Sequence, residues 1–147
     1  MDFEPYEAFL TATETAQWWR AWTGNATLDG SAFKVFGQDG AGGMAAFWLT
    51  RPQGDITEQP VVFIGSEGEV AVVAGDMDAY LWLLAQGFGP YEAAVFPHHE
   101  HALQSDARLV QLARSHAPTA RSTPADIIAA AQDRFPDFVA YIEGACR

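Results

Sequence analysis

The sequence predicts an α+β fold, an antiparallel sheet of about four to six strands flanked by N-terminal and C-terminal helices. The apolar spacing is helical as far as Gly24, becomes strand-like from Phe33 to Ala74, and is helical again after Asp76. Two apolar runs, Val61-Val62-Phe63-Ile64 and Val70-Ala71-Val72-Val73, flank Gly65-Ser66-Glu67-Gly68, which has the length and composition of a hairpin turn. With 147 residues, 49% of them hydrophobic, the chain has the size and material for one core. A chain of that length hides roughly two-thirds of its unfolded surface on folding. No internal repeat interrupts it, so residues 1–147 are read as a single domain.

Residues 1–24 read as two helical pieces, the first carrying Tyr6, Phe9 and Leu10 and the second Trp18, Trp19 and Trp22. Thr13 or Thr15 can cap the second piece and Gly24 closes it; Trp18 and Trp22, four apart, share a face as a buried stripe requires. The tryptophans are therefore assigned to the core. A strand core over 33–75 follows, with strands starting at Phe33 and running from Met44 to Thr50, Pro60 to Ile64 and Val70 to Ala74. The last two are apolar on both faces, which places their hairpin at the centre of the sheet, with helices supplying at least one cover.

Asp76 or Asp78 caps a short helix carrying Tyr80, Leu81, Leu83 and Leu84, and Gly87 stands just past its end. Gly87-Phe88-Gly89-Pro90 reads as a loop. A further helix opens at Ser105-Asp106 and ends near His116. Thr123-Pro124 combines an N-cap oxygen with a first-turn proline and starts a helical extension over 123–145, which Pro136 kinks or divides.

Charge bounds the function. Nineteen acidic residues against eight basic ones give a formal net charge of −11, and the basic set is Lys34 and seven scattered arginines. Nucleic-acid binding needs clustered cations to displace condensed counterions, so direct contact with DNA or RNA is disfavoured. An acidic surface attracts a basic partner instead, and it also keeps a chain soluble. Cys146 has no intrachain partner for a disulfide and stands beside the last residue, a poor place for a catalytic thiol. Met-Asp-Phe-Glu-Pro is acidic where a secretory signal is basic, and no apolar stretch approaches the ~18 residues of a membrane span. A cytoplasmic chain without membrane contact is expected.

The chemical motifs mostly reduce to turns. Gly37-Gln38-Asp39-Gly40-Ala41-Gly42-Gly43 lacks the Lys-Ser/Thr of a phosphate loop and leads into a strand, where a phosphate cradle needs a helix N-terminus. It also lacks the alternating acidic ligands of a calcium loop. Ser66 stands between strands, without the strand-to-helix turn that exposes a nucleophilic serine. His98-His99-Glu100-His101 has metal-ligand character, but the only other histidine is the distant His116, short of the three or four ligands a zinc site takes. The pairs Glu67/Glu69 and Asp76/Asp78 read as solvated turn and cap residues, with nothing to separate their acidities as acid-base catalysis requires. No cofactor, no metal and no enzymatic activity are expected.

One ordered set of segments goes further: Val35-Phe36-Gly37-Gln38-Asp39-Gly40 with Gly42-Gly43, then Ala46-Phe47-Trp48-Leu49, then Pro60 through Gly68, then Val72-Val73-Ala74 and the helix Tyr80-Leu81-Trp82-Leu83-Leu84. In order and spacing this resembles the SUKH superfamily, over about 60 of the 147 residues. The resemblance implies an antiparallel sheet flanked by helices, and a protein that acts by binding: a bacterial immunity protein that blocks a toxin's catalytic domain, often a nuclease or deaminase, or an intracellular regulator with another protein partner. A nuclease groove is basic because it holds phosphates, so carboxylates can cover it. The acidic groups at turns and helix starts, Asp39, Glu67, Glu69, Asp76 and Asp78, are the candidate partner-binding residues.

Overall fold

The computed structural model describes residues 1–98 and 105–147. Five antiparallel strands form one sheet in the order of the chain: β1 (Glu4–Pro5), β2 (Phe33–Gln38), β3 (Met44–Trp48), β4 (Val61–Ile64) and β5 (Val70–Ala74). Around it lie α1 (Ala12–Thr23), α2 (Met77–Ala85), α3 (Pro90–Val95), α4 (Ala107–His116), α5 (Pro124–Arg134) and α6 (Phe138–Ala145). The α+β architecture with flanking helices is as expected, and both faces of the sheet are covered.

Strand alternation sorts the core into two layers. Phe33, Val35, Ala46, Val62, Ile64 and Val72 point to one face, where Trp19 of α1 and Phe138 and Ile142 of α6 meet them. Phe47, Val61, Phe63, Ala71 and Val73 point to the other, against Tyr80, Trp82 and Leu83 of α2 and Ala93 of α3. All four residues of β4 are fully buried, but the hairpin is not central as expected: β4 has a neighbour on each side while β5 is an edge strand, apolar on both faces because helices cover both. At about 1.5–3 kcal/mol for each large apolar side chain removed from water, β4 and its neighbours dominate the stabilisation.

The first eleven residues differ from expectation. Instead of a helix, they run extended along β2, with the Tyr6 amide donating to the Phe36 carbonyl and the Leu10 amide to that of Val35. Pro5 is the physical reason, since it restricts the residue before it to extended backbone. The helix begins after Thr11, whose hydroxyl accepts from the Glu14 amide while the Glu14 carboxylate accepts from the Thr11 amide. That capping box, and not Thr13 or Thr15, sets the phase of α1. Thr15, Ala16, Trp19 and Thr23 consequently face inward, and Trp18 and Trp22 are only half-buried beside Trp19. Gly24 closes α1 as predicted.

Asp76, Asp106 and Thr123 cap α2, α4 and α5 at the positions the sequence marks, and the stretch around Pro136 separates α5 from α6. Pro90, read as the end of a loop, instead opens the first turn of α3, and residues 91–95, to which the sequence reading assigned no element, complete that helix. Gly37 is required by close approach, because a Cβ there would collide with the Phe3 ring and the Glu4 carbonyl. Its neighbour Phe36 falls at a register shift between Val35 and Gly37 and packs on the second face, beside Phe47 and Tyr80.

Candidate functional site

The turn after β2 and the turn after β4 lie at the same end of the sheet, because Met44 at the start of β3 pairs with Ile64 at the end of β4. This is the hairpin end. In the first turn the Asp39 carboxylate accepts from the amides of Ala41 at 3.1 Å and Gly43 at 2.7 Å, and Asp39 is only 5% exposed. In the second, Gly68 takes a φ of 93°, the left-handed conformation that glycine adopts without strain. The Gly65 amide donates to the Glu69 carbonyl across the turn, and Glu69 accepts from the Glu67 amide at 2.9 Å. The Glu67 side chain itself is exposed.

Two carboxylates join these turns from the start of the chain. Glu4 pairs in register with Gln38 and accepts from its side-chain amide at 3.4 Å, while the Asp2 side chain lies over Gly40. Tyr6 donates to the Gln38 side chain at 2.8 Å, and the half-buried Trp22 indole donates to the Gly65 carbonyl at 2.8 Å, tying α1 to the second turn. Desolvation pushes the Tyr6 hydroxyl pKa up, and the Glu4 and Glu14 charges add to that. The segments 1–5, 37–44 and 64–70 contain no Lys or Arg.

The opposite end of the sheet has another character. Asp76 caps α2, accepting from the Ala79 amide at 2.9 Å, and Asp78 is exposed on its first turn. About seven residues of largely extended chain, roughly 20 Å, separate Asp76 from Glu69. Cations are present here: Lys34 on β2, Arg51 after β3, and Arg134, which lies against Gly75.

The five acidic residues expected to bind a partner are therefore not one surface. Asp39, Glu67 and Glu69 come together at the hairpin end, and Asp76 and Asp78 lie at the other. Asp39, Glu69 and Asp76 hold their own turns or caps through hydrogen bonds, which leaves Glu67 and Asp78 as the free carboxylates of the set. Asp2 and Glu4 were missed because the segment reads as helix; the alternation of Asp2-Phe3-Glu4 ahead of Pro5 was the available sign of a strand.

Four of the seven arginines are engaged elsewhere. Arg51 and Arg134 lie over the Phe135 ring at 5.5 and 5.4 Å, Arg121 lies over Trp82 at 5.3 Å, and Arg20 donates to the Leu28 carbonyl at 2.6 Å. Among the described residues the only ion pair joins the N-terminal ammonium to Glu92, at 3.9 Å. The carboxylates of the hairpin end thus keep their charge unpaired by any Lys or Arg.

Among the described residues, no three His, Cys, Asp or Glu side chains come together to hold a metal ion, and no helix is long and apolar enough to cross a membrane. His98 is exposed, and His99, Glu100 and His101 lie outside the described residues. Compared with known proteins, the chain matches no family model, no curated protein and no solved structure.

Proposed function

We propose that this chain acts by binding, as an immunity-type protein of the SUKH kind that neutralises a toxin of nuclease or deaminase type by laying its hairpin end over the toxin's active groove. The observation that carries the reading is the gathering of Asp2, Glu4, Glu67 and Glu69 on the turns of a helix-backed sheet, with no Lys or Arg paired to them among the described residues. A catalytic groove that holds phosphates presents the complementary field, which speeds encounter and penalises other partners. The half-buried Trp22 beneath the second turn supplies an aromatic group of the type that anchors interfaces. Binding in the cytoplasm, with no cofactor and no turnover, follows from the same reading.

The test is co-expression with a toxin domain, which this reading expects to be encoded beside this chain. Rescued growth and a co-purifying one-to-one complex are expected. A complex without rescue would favour an intracellular regulator with a non-toxin partner, and the absence of both would overturn the proposal.

A further inference from the structure

The first ten residues are laid on the sheet from outside. β1 pairs antiparallel with β2 in a fixed register, Glu4 with Gln38 and Pro5 with Gly37, and beyond it the amides of Tyr6 and Leu10 reach the carbonyls of Phe36 and Val35. Phe3 inserts beside Phe36 and Tyr80, with ring centroids 6.1 and 5.8 Å away, in a space that a Cβ on Gly37 would fill. Phe3, Tyr6 and Leu10 are only half-buried, and the residues between them are exposed. Without this segment β2 would be the edge of the sheet, open to another strand.

The segment meets its place incompletely. Asp2 lies over Gly40 and Glu4 beside Gln38, which adds two carboxylates to the end of the sheet that carries Glu67 and Glu69. Like charges gathered there oppose the docking. Beneath the segment, Tyr80 is 1% exposed and its hydroxyl has no hydrogen-bond partner among the described residues; the same holds for Oε2 of Glu92, which crowds Gly89 together with the Met1 side chain. The other Glu92 oxygen is 3.9 Å from the N-terminal ammonium, longer than a hydrogen bond. A buried carboxylate oxygen and a buried hydroxyl without partners call for a donor or a cation, and no side chain of residues 1–11 is Lys, Arg or His.

We propose that residues 1–6 hold a place on β2 for an extended basic segment of a partner protein, which displaces them and pairs with β2 in their stead. The register and direction are those of β1, because the same groups of β2 receive the strand. An aromatic residue in the place of Phe3 fills the space beside Phe36, Gly37 and Tyr80. Strand alternation puts its two neighbours, in the places of Asp2 and Glu4, on the opposite side, and Lys or Arg there replaces like charge with opposite charge at the hairpin end. A further Lys or Arg in the place of Met1 faces Glu92. Asp2 and Glu4 draw such a segment in at encounter and then yield to it. The inference rests on the reading of the hairpin end as a surface for basic partners and narrows it to one strand. Its test uses a peptide and no toxin, so growth rescue without peptide binding would sink the inference alone.

The probe is a synthetic peptide of residues 1–11 carrying Met1→Lys, Asp2→Lys and Glu4→Lys, titrated onto the whole protein, with the unsubstituted peptide as control. The basic peptide should bind roughly tenfold or more tightly than the control, an advantage that shrinks as salt rises. Phe3→Ala in the protein loosens the resident segment without touching β2. It should tighten the basic peptide by about tenfold, because apparent affinity follows the fraction of molecules whose place is free. Adding Gly37→Ala should remove that gain, since its Cβ meets the aromatic ring and the strand backbone of whichever segment is there; both proteins are checked for folding by circular dichroism. In the parent, saturating peptide should speed amide hydrogen exchange at Tyr6, whose bond to Phe36 is given up, a readout that needs no variant. Equal binding of the two peptides, no gain from Phe3→Ala, a gain kept with Gly37→Ala, or unchanged exchange at Tyr6 would overturn the proposal. Concentration-dependent dimerisation of the Phe3→Ala protein would overturn it too, by giving β2 to a second copy.

Discussion

The turn at 39–43 and the turn at 65–69 lie side by side, both rich in glycine and both acidic, yet Asp39 is 5% exposed and Glu67 stands in solvent. Asp39 is drawn in because two amides of its own turn, Ala41 and Gly43, need an acceptor there. The Glu67 side chain has no such demand on it; the neighbouring Glu69 satisfies the Glu67 amide. An acidic residue in a turn is thus either a structural acceptor or a surface charge, and hydrogen-bond accounting separates the two where composition does not.

That contrast can be broken by substitution. Asp39→Ala should have the largest effect, costing about 2–3 kcal/mol, because it removes charge-assisted bonds and leaves buried amides without an acceptor. Glu67→Ala should stay within about 0.5 kcal/mol of the parent, as exposed positions do. Urea denaturation of the two proteins checks both, and equal losses would erase the distinction.

Tyr80 sharpens the comparison from the other side, being buried like Asp39 but with a hydroxyl that has no hydrogen-bond partner among the described residues. Burial, with the Glu92 charge second, raises its pKa well above the usual tyrosine value. Tyr80→Phe keeps the ring against Phe3 and Phe36 and removes the unmet polar group, so stability should rise by about 1 kcal/mol in the same denaturation series. A loss of that size would mean that the hydroxyl has a partner after all.

Glu14 completes the set as an exposed carboxylate that is hydrogen-bonded. The Thr11 amide holds its carboxyl below the usual range. A folded-state pKa below the unfolded one makes the charge stabilising above the unfolded value, about pH 4.3 for glutamate, and that stabilisation disappears as pH falls through the folded value. Glu14→Gln should therefore be slightly less stable than the parent at neutral pH, with the gap closing on acidification. Parallel melts across the acid range measure it, and a gap that widens towards acid would contradict the sign.

Much of the fold was legible because its signals are local. The hairpin of β4 and β5, the caps at Asp76, Asp106 and Thr123, and the break around Pro136 each follow from a few adjacent residues. What escaped depends on distant partners. The segment ahead of Thr11 is extended because β2 offers it carbonyls, and α3 forms where Ala93 can bury against the sheet. The candidate site was half legible for the same reason: the acidic turns are visible in the chain, but only the register of β3 with β4 brings two of them together and sends Asp76 and Asp78 to the far end.

The central claim is that the hairpin end, and not the general acidity of the chain, meets a basic partner. The direct test is the association rate with the toxin domain that the proposal expects, at low and high salt, measured for the parent, for Glu4→Lys with Glu67→Lys, and for Asp78→Lys at the opposite end. The account predicts a loss of roughly tenfold or more in on-rate for the double variant, shrinking as salt rises, with Asp78→Lys close to the parent. Equal losses at the two ends, or none at the hairpin end, would contradict it.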